Sequence, residues 1–255
     1  MSSSVDKEKP TKYNPTIALT VFIVITVIYI SYEYYVYDND ANDKSSKLNM
    51  AAYLILLLIV EFMINSSHTK SVCGSYQLST ALIATLVPWG VIYSAFILLL
   101  SIMPGWLSPF SNTFGYAIAN MSGLDDTLNK LLKNPSNDAM KETISNIYSN
   151  KSLLINEVTP ENFEIFWRDM KGLFKEDDVS GILKKRLRSL ILLKYSVAKV
   201  IWYVLTGILI TSISYNYIIS SSCINSDSTK EINDYVDDLH ATQSTETTKR
   251  DYKVA

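Results

Sequence analysis

The feature that most constrains this chain is a run of fifty-four residues, Ser71 to Leu124, that contains no Asp, Glu, Lys, Arg or His. Because 19% of the whole protein is charged, so long a neutral run indicates a membrane as its solvent. A helix rises about 1.5 Å per residue and crosses the hydrocarbon core in about 20 residues, so the run is too long for one simple span. We therefore expect a transmembrane helix over residues 79–103 that breaks at Pro104-Gly105.

The second part of the run, residues 104–123, is apolar but interrupted by Pro109 and Gly115, and it is rich in aromatic and small polar side chains. Trp and Tyr favour the headgroup layer, where an apolar ring and a polar tip are both satisfied. We expect this segment to lie at or just inside the interface. A second, re-entrant pass is the alternative, and it requires protein to cover the backbone at depth.

Three further apolar blocks predict spans over residues 16–36, over residues 50–64 and at the end of a basic helix over residues 181–220. The block 50–64 is near the lower length limit and contains Glu61. A carboxylate within a span is a functional-site candidate by default. Glu61 lies within a turn of the expected helix end, however, so we prefer the explanation that its side chain reaches the interface.

These spans predict an all-α fold: a multi-pass helical membrane protein with about four transmembrane helices and a small helical extramembrane section between spans 3 and 4. The expected layout is a polar arm (1–14), spans 1 to 3 (15–103), the interfacial segment (104–123), the extramembrane section (124–180), the basic helix with span 4 (181–220) and a polar tail (221–255).

The extramembrane section carries one broad aromatic face. Thr159-Pro160-Glu161 is a helix start signal, and helical spacing then places five large side chains together: Phe163, Phe166, Trp167, Met170 and Phe174. About sixty residues bury only a small core, so we expect the section to lean on the membrane or on a partner through this face. The alternative is that the face closes the section's own helical core.

A basic run precedes the fourth span, and no acidic residue occurs between Val179 and Ser226. Basic side chains beside a span attract anionic headgroups, at about 1 kcal/mol for each charge near the surface. We expect lipid headgroup contacts from four of them: Lys184, Lys185, Arg186 and Arg188.

Four spans put the 65–78 loop and the C-terminal tail on one side of the membrane, and residues 104–199 on the other. The basic residues at 184–199 make the second side cytosolic by the positive-inside rule, while Lys7, Lys9, Lys12 and Lys70 count against that orientation. Cys73 and Cys223 then meet the same membrane face, where they could pair if that face is oxidising. The alternative is that they are two unrelated small residues.

Motifs for chemistry are absent from the sequence: it has no phosphate loop, HExxH, nucleophile elbow, metal-ligand cluster or dinucleotide fingerprint. The net charge of −2 does not favour nucleic-acid binding. We therefore expect no enzyme activity, no cofactor or metal, no nucleic-acid partner and no small-molecule substrate. The lipid bilayer is the expected partner.

Two stretches carry a family resemblance: Pro88-Trp89, and residues 103–116 with the sequence MPGWLSPFSNTFGY. Here the chain resembles membrane-embedded virion proteins of nucleocytoplasmic large DNA viruses, in particular those of the algal-virus and mimivirus-like lineages. In these proteins a "PGW…PFSNTFGY" segment follows an apolar span. The residues that match it are Pro104, Gly105, Trp106, Pro109, Phe110, Asn112, Phe114, Gly115 and Tyr116. The resemblance covers about fifty residues and does not extend to the termini or to residues 124–180.

The resemblance implies a minor capsid protein: a structural component that anchors the internal virion membrane, derived from an ER-like host membrane, to the icosahedral capsid shell. Its implied partners are capsid proteins or other minor capsid proteins, and residues 104–199 would face the shell. Two alternatives remain open at this point, a small multi-pass channel or transporter and an ER-type membrane adaptor.

Overall fold

The structure, a computed structural model, describes residues 16–39, 43–133, 145, 152–175, 180–221 and 223. Within these residues the chain is built of helices, and the β structure is one isolated antiparallel bridge between Leu132 and Phe174. The expected all-α fold is confirmed for this part of the chain. The polar arm 1–14, residues 134–151 of the extramembrane section apart from residue 145, and almost all of the tail lie outside the described residues.

Four of the described helices are long and apolar enough to cross a membrane, as the sequence predicts. They are α1 (Thr16–Asn39), α2 (Asp43–Cys73), α3 (Leu78–Ile102) and α7 (Ser180–Ser220). Their outward surfaces are apolar: Ile28 and Ile55, for example, are each more than half exposed. Such surfaces are stable against lipid tails and not against water, which indicates a membrane location.

Helix α7 is the central element, and α1 runs antiparallel to it. Near one end the Phe22 ring lies so close to Gly207 that a Cβ at residue 207 would collide with it. Near the other end Lys199 pairs with Glu33. A glycine at such a crossing lets two helices approach closely, which is how membrane helices gain packing energy.

Helix α2 runs parallel to α7, because Tyr53 stacks against Tyr203 and His68 stacks against Tyr215. Helix α3 returns antiparallel to α2, placing Tyr93 beside Tyr53. We call α1, α2, α3 and residues 200–220 of α7 the bundle.

The interior of the bundle is aromatic at its centre and also contains a chain of hydroxyl groups. The Tyr53 hydroxyl shares hydrogen bonds with Thr26 (3.0 Å) and with Tyr93 (2.7 Å). The rings of Phe22, Trp89 and Tyr93 pack against one another in edge-to-face or tilted arrangements. The hydroxyls therefore satisfy one another inside the bundle, where lipid offers no hydrogen-bond partner.

Helix α3 contains a π-helical stretch, Leu86–Tyr93. Pro88 lies within this stretch, and proline lacks a backbone N–H and crowds the carbonyl of the preceding turn. A wider turn absorbs that conflict without ending the helix. Trp89 and Tyr93 belong to this stretch, and both are buried. The irregular turn therefore positions aromatic side chains at the centre of the bundle.

Helix α2 corrects the expected second span. It does not end at residue 64 but continues to Cys73, with Asn65, His68 and Thr69 buried. Asn65 Nδ2 donates to Thr85 Oγ1 of α3 at 2.9 Å, and Thr69 Oγ1 accepts from the backbone N–H of Gln77 at 3.1 Å. These contacts satisfy polar side chains that, in the sequence, indicate a loop.

Residues 104–121 cover most of the segment expected at the interface, and we call them the outer segment. They form a nearly continuous run of short 3₁₀, α and π turns. The run is antiparallel to α7 and leads away from the bundle: Trp106 packs on Trp202, Gly115 faces Lys194, and the Ser122 carbonyl just beyond its end accepts from Arg186. The position of this segment relative to the bilayer stays a prediction.

The remaining described helices surround the first half of α7 and form what we call the head. They are α4 (Leu124–Leu131), α5 (Ser152–Ile155), α6 (Phe163–Asp169) and the 3₁₀ turn Lys171–Leu173. Gly123 precedes α4 in the left-handed conformation (φ 99°), which glycine adopts without a steric penalty. Leu187, Leu190 and Ile191 of α7 form the centre of the head's core.

Candidate functional site

The junction between bundle and head is fixed by a charged pair. Lys199 Nζ donates to both carboxylate oxygens of Glu33, at 2.7 and 2.6 Å. The two side chains are only 18% and 22% exposed, so they are screened less than a surface pair. The pair ties the end of α1 to α7 at the point where α7 leaves the bundle.

A second lysine lies inside the head. Lys194 is 1% exposed, and its Nζ donates to the backbone carbonyls of Ile155 (2.7 Å) and Asn156 (3.2 Å). A buried ammonium group is stable only when such acceptors replace its water. Lys194 therefore holds the end of α5 against α7, a role that its place in a basic run does not predict.

The outer segment meets α7 through a stripe in which every fourth residue is buried: Leu107, Ser111, Gly115 and Ala119. At Gly115 a Cβ would collide with the Lys194 carbonyl oxygen, so the two backbones are in contact. Gly115 is thus needed for close approach to α7, rather than as an interruption of an interfacial segment.

The other motif residues support this packing or lie on the surface. Trp106 and Phe110 pack against Trp202, and the Pro109 carbonyl accepts a hydrogen bond from Thr113 Oγ1 at 2.6 Å. Pro104 starts the first turn of the segment, and the neighbouring Gly105 is exposed.

Two motif residues place polar groups beside the head. The Tyr116 hydroxyl donates to Asp125 Oδ1 at 3.2 Å, and burial together with the Asp125 carboxylate raises the pKa of Tyr116. Asn112 Oδ1 is buried and has no hydrogen-bond partner among the described residues.

The aromatic face expected to bind a partner instead closes the head's own core. Phe163 and Phe174 are fully buried, and Trp167 stacks on Phe174 with ring centroids 4.8 Å apart. Phe166 and Met170 are half-buried against the same core. The structure thus favours the alternative, that this face closes the section's own helical core, because α7 supplies a surface that covers it.

The basic side chains expected to bind headgroups are also engaged within the protein. Lys184 pairs with Glu164 at 2.6 Å, and Arg186 Nη2 donates to the Ser122 carbonyl at 2.8 Å. Arg188 lies over the Tyr37 ring, 5.5 Å from its centroid.

The basic run lies in the part of α7 that the head surrounds. Lys185 is exposed and precedes Lys199 by fourteen residues, about 20 Å along α7. Binding of lipid headgroups by this run stays a prediction.

An exposed apolar face does exist, on the outer segment. Phe114, Ile118 and Met121 are 59%, 41% and 85% exposed, at helical spacing. We call these three residues the docking face. In the sequence, this face is indicated by the i, i+4, i+7 spacing of its residues. The interpretation of the segment as interfacial assigned such apolar side chains to contact with lipid.

At the opposite end of the bundle, Cys73 and Cys223 form a disulfide with their Cα atoms 5.4 Å apart. Cys73 ends α2, and Cys223 lies just after α7. Since both helices end on the same face of the bundle, the bond ties those two ends together.

No family model, no curated protein and no solved structure matches this chain. Among the described residues, no group of three or more His, Cys, Asp and Glu side chains is arranged to hold a metal ion.

Proposed function

We propose that this chain is a structural membrane protein that attaches a lipid bilayer to a protein layer on the side of the head. The observation that carries the proposal is α7, one helix of 41 residues that belongs to both parts. At about 1.5 Å per residue it is roughly 60 Å long. Because no loop interrupts it, a protein bound to the head is connected rigidly to the bundle.

The docking face is the surface we assign to the partner. Met121 follows Trp106 by fifteen residues, so with the membrane edge at the level of Trp106 it would lie about 22 Å outside the bilayer core. Contiguous apolar surface outside a membrane is uncommon on isolated proteins and marks protein contacts. The occupant we propose is therefore a protein of the shell.

The resemblance to virion proteins gives the proposal its finer form. The bilayer would be the internal membrane of a large DNA virus, derived from an ER-like membrane, and the protein layer would be the icosahedral capsid shell with its minor capsid proteins. The nine motif residues that carry the resemblance make up half of the outer segment, which also carries the docking face. This coincidence supports the proposal.

Ile118→Ser, with Ile182→Ser as the matched control, tests it. Both isoleucines are exposed on the head, but only Ile118 belongs to the docking face. In cells that assemble particles, we expect Ile118→Ser to lower the fraction of chain retained with the shell after detergent removes lipid, by about tenfold. Both variants should resist carbonate extraction from membranes like the wild type. Equal retention of the two variants would count against the docking face.

A small channel or transporter is the second candidate, favoured by the carboxylate of Glu61 in the middle of a span. Ion or proton flux into sealed liposomes that contain the purified chain would support it. An anchor predicts flux no greater than that of protein-free liposomes. An ER-type adaptor, the remaining alternative, would be absent from purified particles.

A further inference from the structure

Glu61 lies in the middle of the bundle, not near a helix end as its place in the sequence suggests. It is the fourteenth residue of the apolar span Leu48–Cys73 and is 1% exposed. It belongs to a face of α2 on which every fourth residue is buried: Tyr53, Leu57, Glu61, Asn65 and Thr69. Its side chain therefore faces the interior of the bundle.

Two hydroxyl side chains of α7 lie near the same depth. Tyr53 stacks with Tyr203, and Glu61 follows Tyr53 by eight residues, as Thr211 follows Tyr203. Because α2 and α7 are parallel, Glu61 and Thr211 are level to within about one turn. Ser214 lies farther toward the disulfide end, near the level of His68, which stacks on Tyr215.

All three side chains carry a polar atom without a hydrogen bond. Glu61 Oε1, Thr211 Oγ1 and Ser214 Oγ are buried, and none has a hydrogen-bond partner among the described residues. Buried polar atoms in proteins are nearly always paired, so three unpaired oxygens in one region of a bundle need an explanation. Oxygen atoms of this kind, one carboxylate with hydroxyls, are ligands for a hard cation.

The bundle offers Glu61 no counter-charge. Within the first three described spans and residues 195–220 of α7, the other charged side chains are Glu33, Lys199 and Lys70. Glu33 and Lys199 pair with each other at the head end. Lys70 is nine residues from Glu61, about 13 Å along α2, and lies over the Tyr76 ring. A single carboxylate in this medium needs one positive charge to be neutral.

We propose that Glu61 is the centre of an intramembrane site for one monovalent cation, either a proton or an alkali ion, with Thr211 and Ser214 as the neighbouring oxygen donors. Unit charge on the ion balances the single carboxylate, whereas a divalent ion would leave an uncompensated charge in the bundle. When the site exchanges, the carboxyl loses its proton to water, and either water returns the proton or an alkali ion replaces it. The inference does not depend on the anchoring role.

A cleft lies near the depth of the site, toward the disulfide side of the bundle. It has a volume of about 290 Å³ and lies between α1 and α7, lined by Thr211 together with polar side chains that include Thr16, Tyr215 and Asn216. Thr211 thus lines the cleft and also lies at about the same depth in the bundle as Glu61.

The other titratable groups around the site are few and are mostly phenols. They are Tyr29 on α1, Tyr53 and His68 on α2, Tyr93 on α3, and Tyr203 and Tyr215 on α7. Of these, Tyr53 lies close enough to Glu61 for an electrostatic interaction between the two groups.

Labelling with the apolar reagent dicyclohexylcarbodiimide, which modifies protonated carboxyls in apolar surroundings, tests the proposal. The full chain in vesicles is labelled between pH 6 and pH 9, and the modified residue is identified by peptide mass mapping. We expect the label on Glu61, with a rate that falls about tenfold for each pH unit once the carboxyl ionises. Glu61→Gln should abolish it, and Glu164→Gln, at an exposed carboxylate of the head, should leave it unchanged.

The same reaction in sodium, potassium and choline salts identifies the ion. Slower labelling of Glu61 in sodium or potassium assigns an alkali ion, and equal rates in all three salts assign the proton. No label on Glu61 in the wild-type chain, or a label whose rate ignores pH, would overturn the proposal. Because this readout comes from wild-type protein, it does not depend on whether a variant folds.

Discussion

The ammonium of Lys199 contacts both oxygens of the Glu33 carboxylate, although 166 residues separate the two in sequence. This pair closes the bundle at the point where α7 continues into the head. It links the first described helix of the chain to the last, and it does so with both side chains mostly buried.

Lys199→Met should destabilise the bundle more than the same change at Lys130. Removing Lys199 leaves the Glu33 carboxylate mostly buried without its partner, and we expect a loss of about 2–3 kcal/mol in the free energy of unfolding. Lys130 pairs with Asp126 on the surface, with both side chains more than half exposed, so its loss should cost less than about 0.5 kcal/mol. Denaturation in mild detergent, followed by circular dichroism, compares the two. Similar losses would contradict the structural role of the junction pair.

Lys194→Met should loosen the head and leave the bundle intact. The variant removes the donor to the Ile155 and Asn156 carbonyls, a loss of about 1–3 kcal/mol. Limited proteolysis should then cut faster between residues 152 and 175. Lys185→Met, at an exposed position of the same helix, serves as the control and should digest like the wild type. If both variants digest at the wild-type rate, Lys194 does not hold α5.

Gly115→Ala should separate the outer segment from α7. The added methyl group would collide with the Lys194 carbonyl oxygen, which cannot move without disturbing α7. Overpacking of this kind typically costs about 1–3 kcal/mol, and the melting temperature should fall accordingly. Gly105→Ala is the matched control, since a Cβ there meets no atom within 4 Å. A wild-type melting temperature for Gly115→Ala would show that the two backbones are not in contact.

Reduction of the Cys73–Cys223 disulfide should release the disulfide end of the bundle. The bond closes a loop of 150 residues, and we expect its loss to cost about 2–4 kcal/mol. Unreduced peptide mapping should recover the linked peptides from the wild type and not from Cys73→Ser.

The disulfide also reports orientation. In sealed vesicles, a reductant that does not cross membranes should open the bond only where this face is outside. If the positive-inside assignment holds, intact vesicles with the native lumenal face inside will keep the bond. Reduction in those intact vesicles would reverse the orientation and put the head on the lumenal side.

The four spans could be predicted because a helix that crosses lipid must be apolar over its whole length. The sequence shows this directly as long runs with few charged residues. The end of α2 could not, because Asn65 and Thr69 read as loop residues until their partners on α3 are known. A polar side chain is stable within a span when it pairs with a group on another helix. The sequence of one helix does not show that partner.

In the head, too, the sequence indicates an apolar face and a basic run but not the residues that each of them contacts. The spacing of Phe163, Phe166 and Trp167 indicates an apolar face, but it does not say which surface covers that face. The expected helix is also too long: α6 ends at Asp169, and Phe174 joins the face from an extended residue that bridges to Leu132. The basic run of α7 likewise indicates positive charge, while the partners of Lys184 and Arg186 lie 20 and 64 residues away. Gly115 resembles a helix breaker in sequence because the atom that requires it belongs to another element.

The unbroken course of α7 gives the chain the properties of a lever. A rod without a hinge transmits torque, so in the anchoring role that we propose the angle between the head and its partner would also set the tilt of the bundle in the bilayer. Many such rods bound to one rigid lattice would bend the lipid sheet to follow the facets of that lattice, and the spacing of the heads would decide where the sheet is curved and where it is flat.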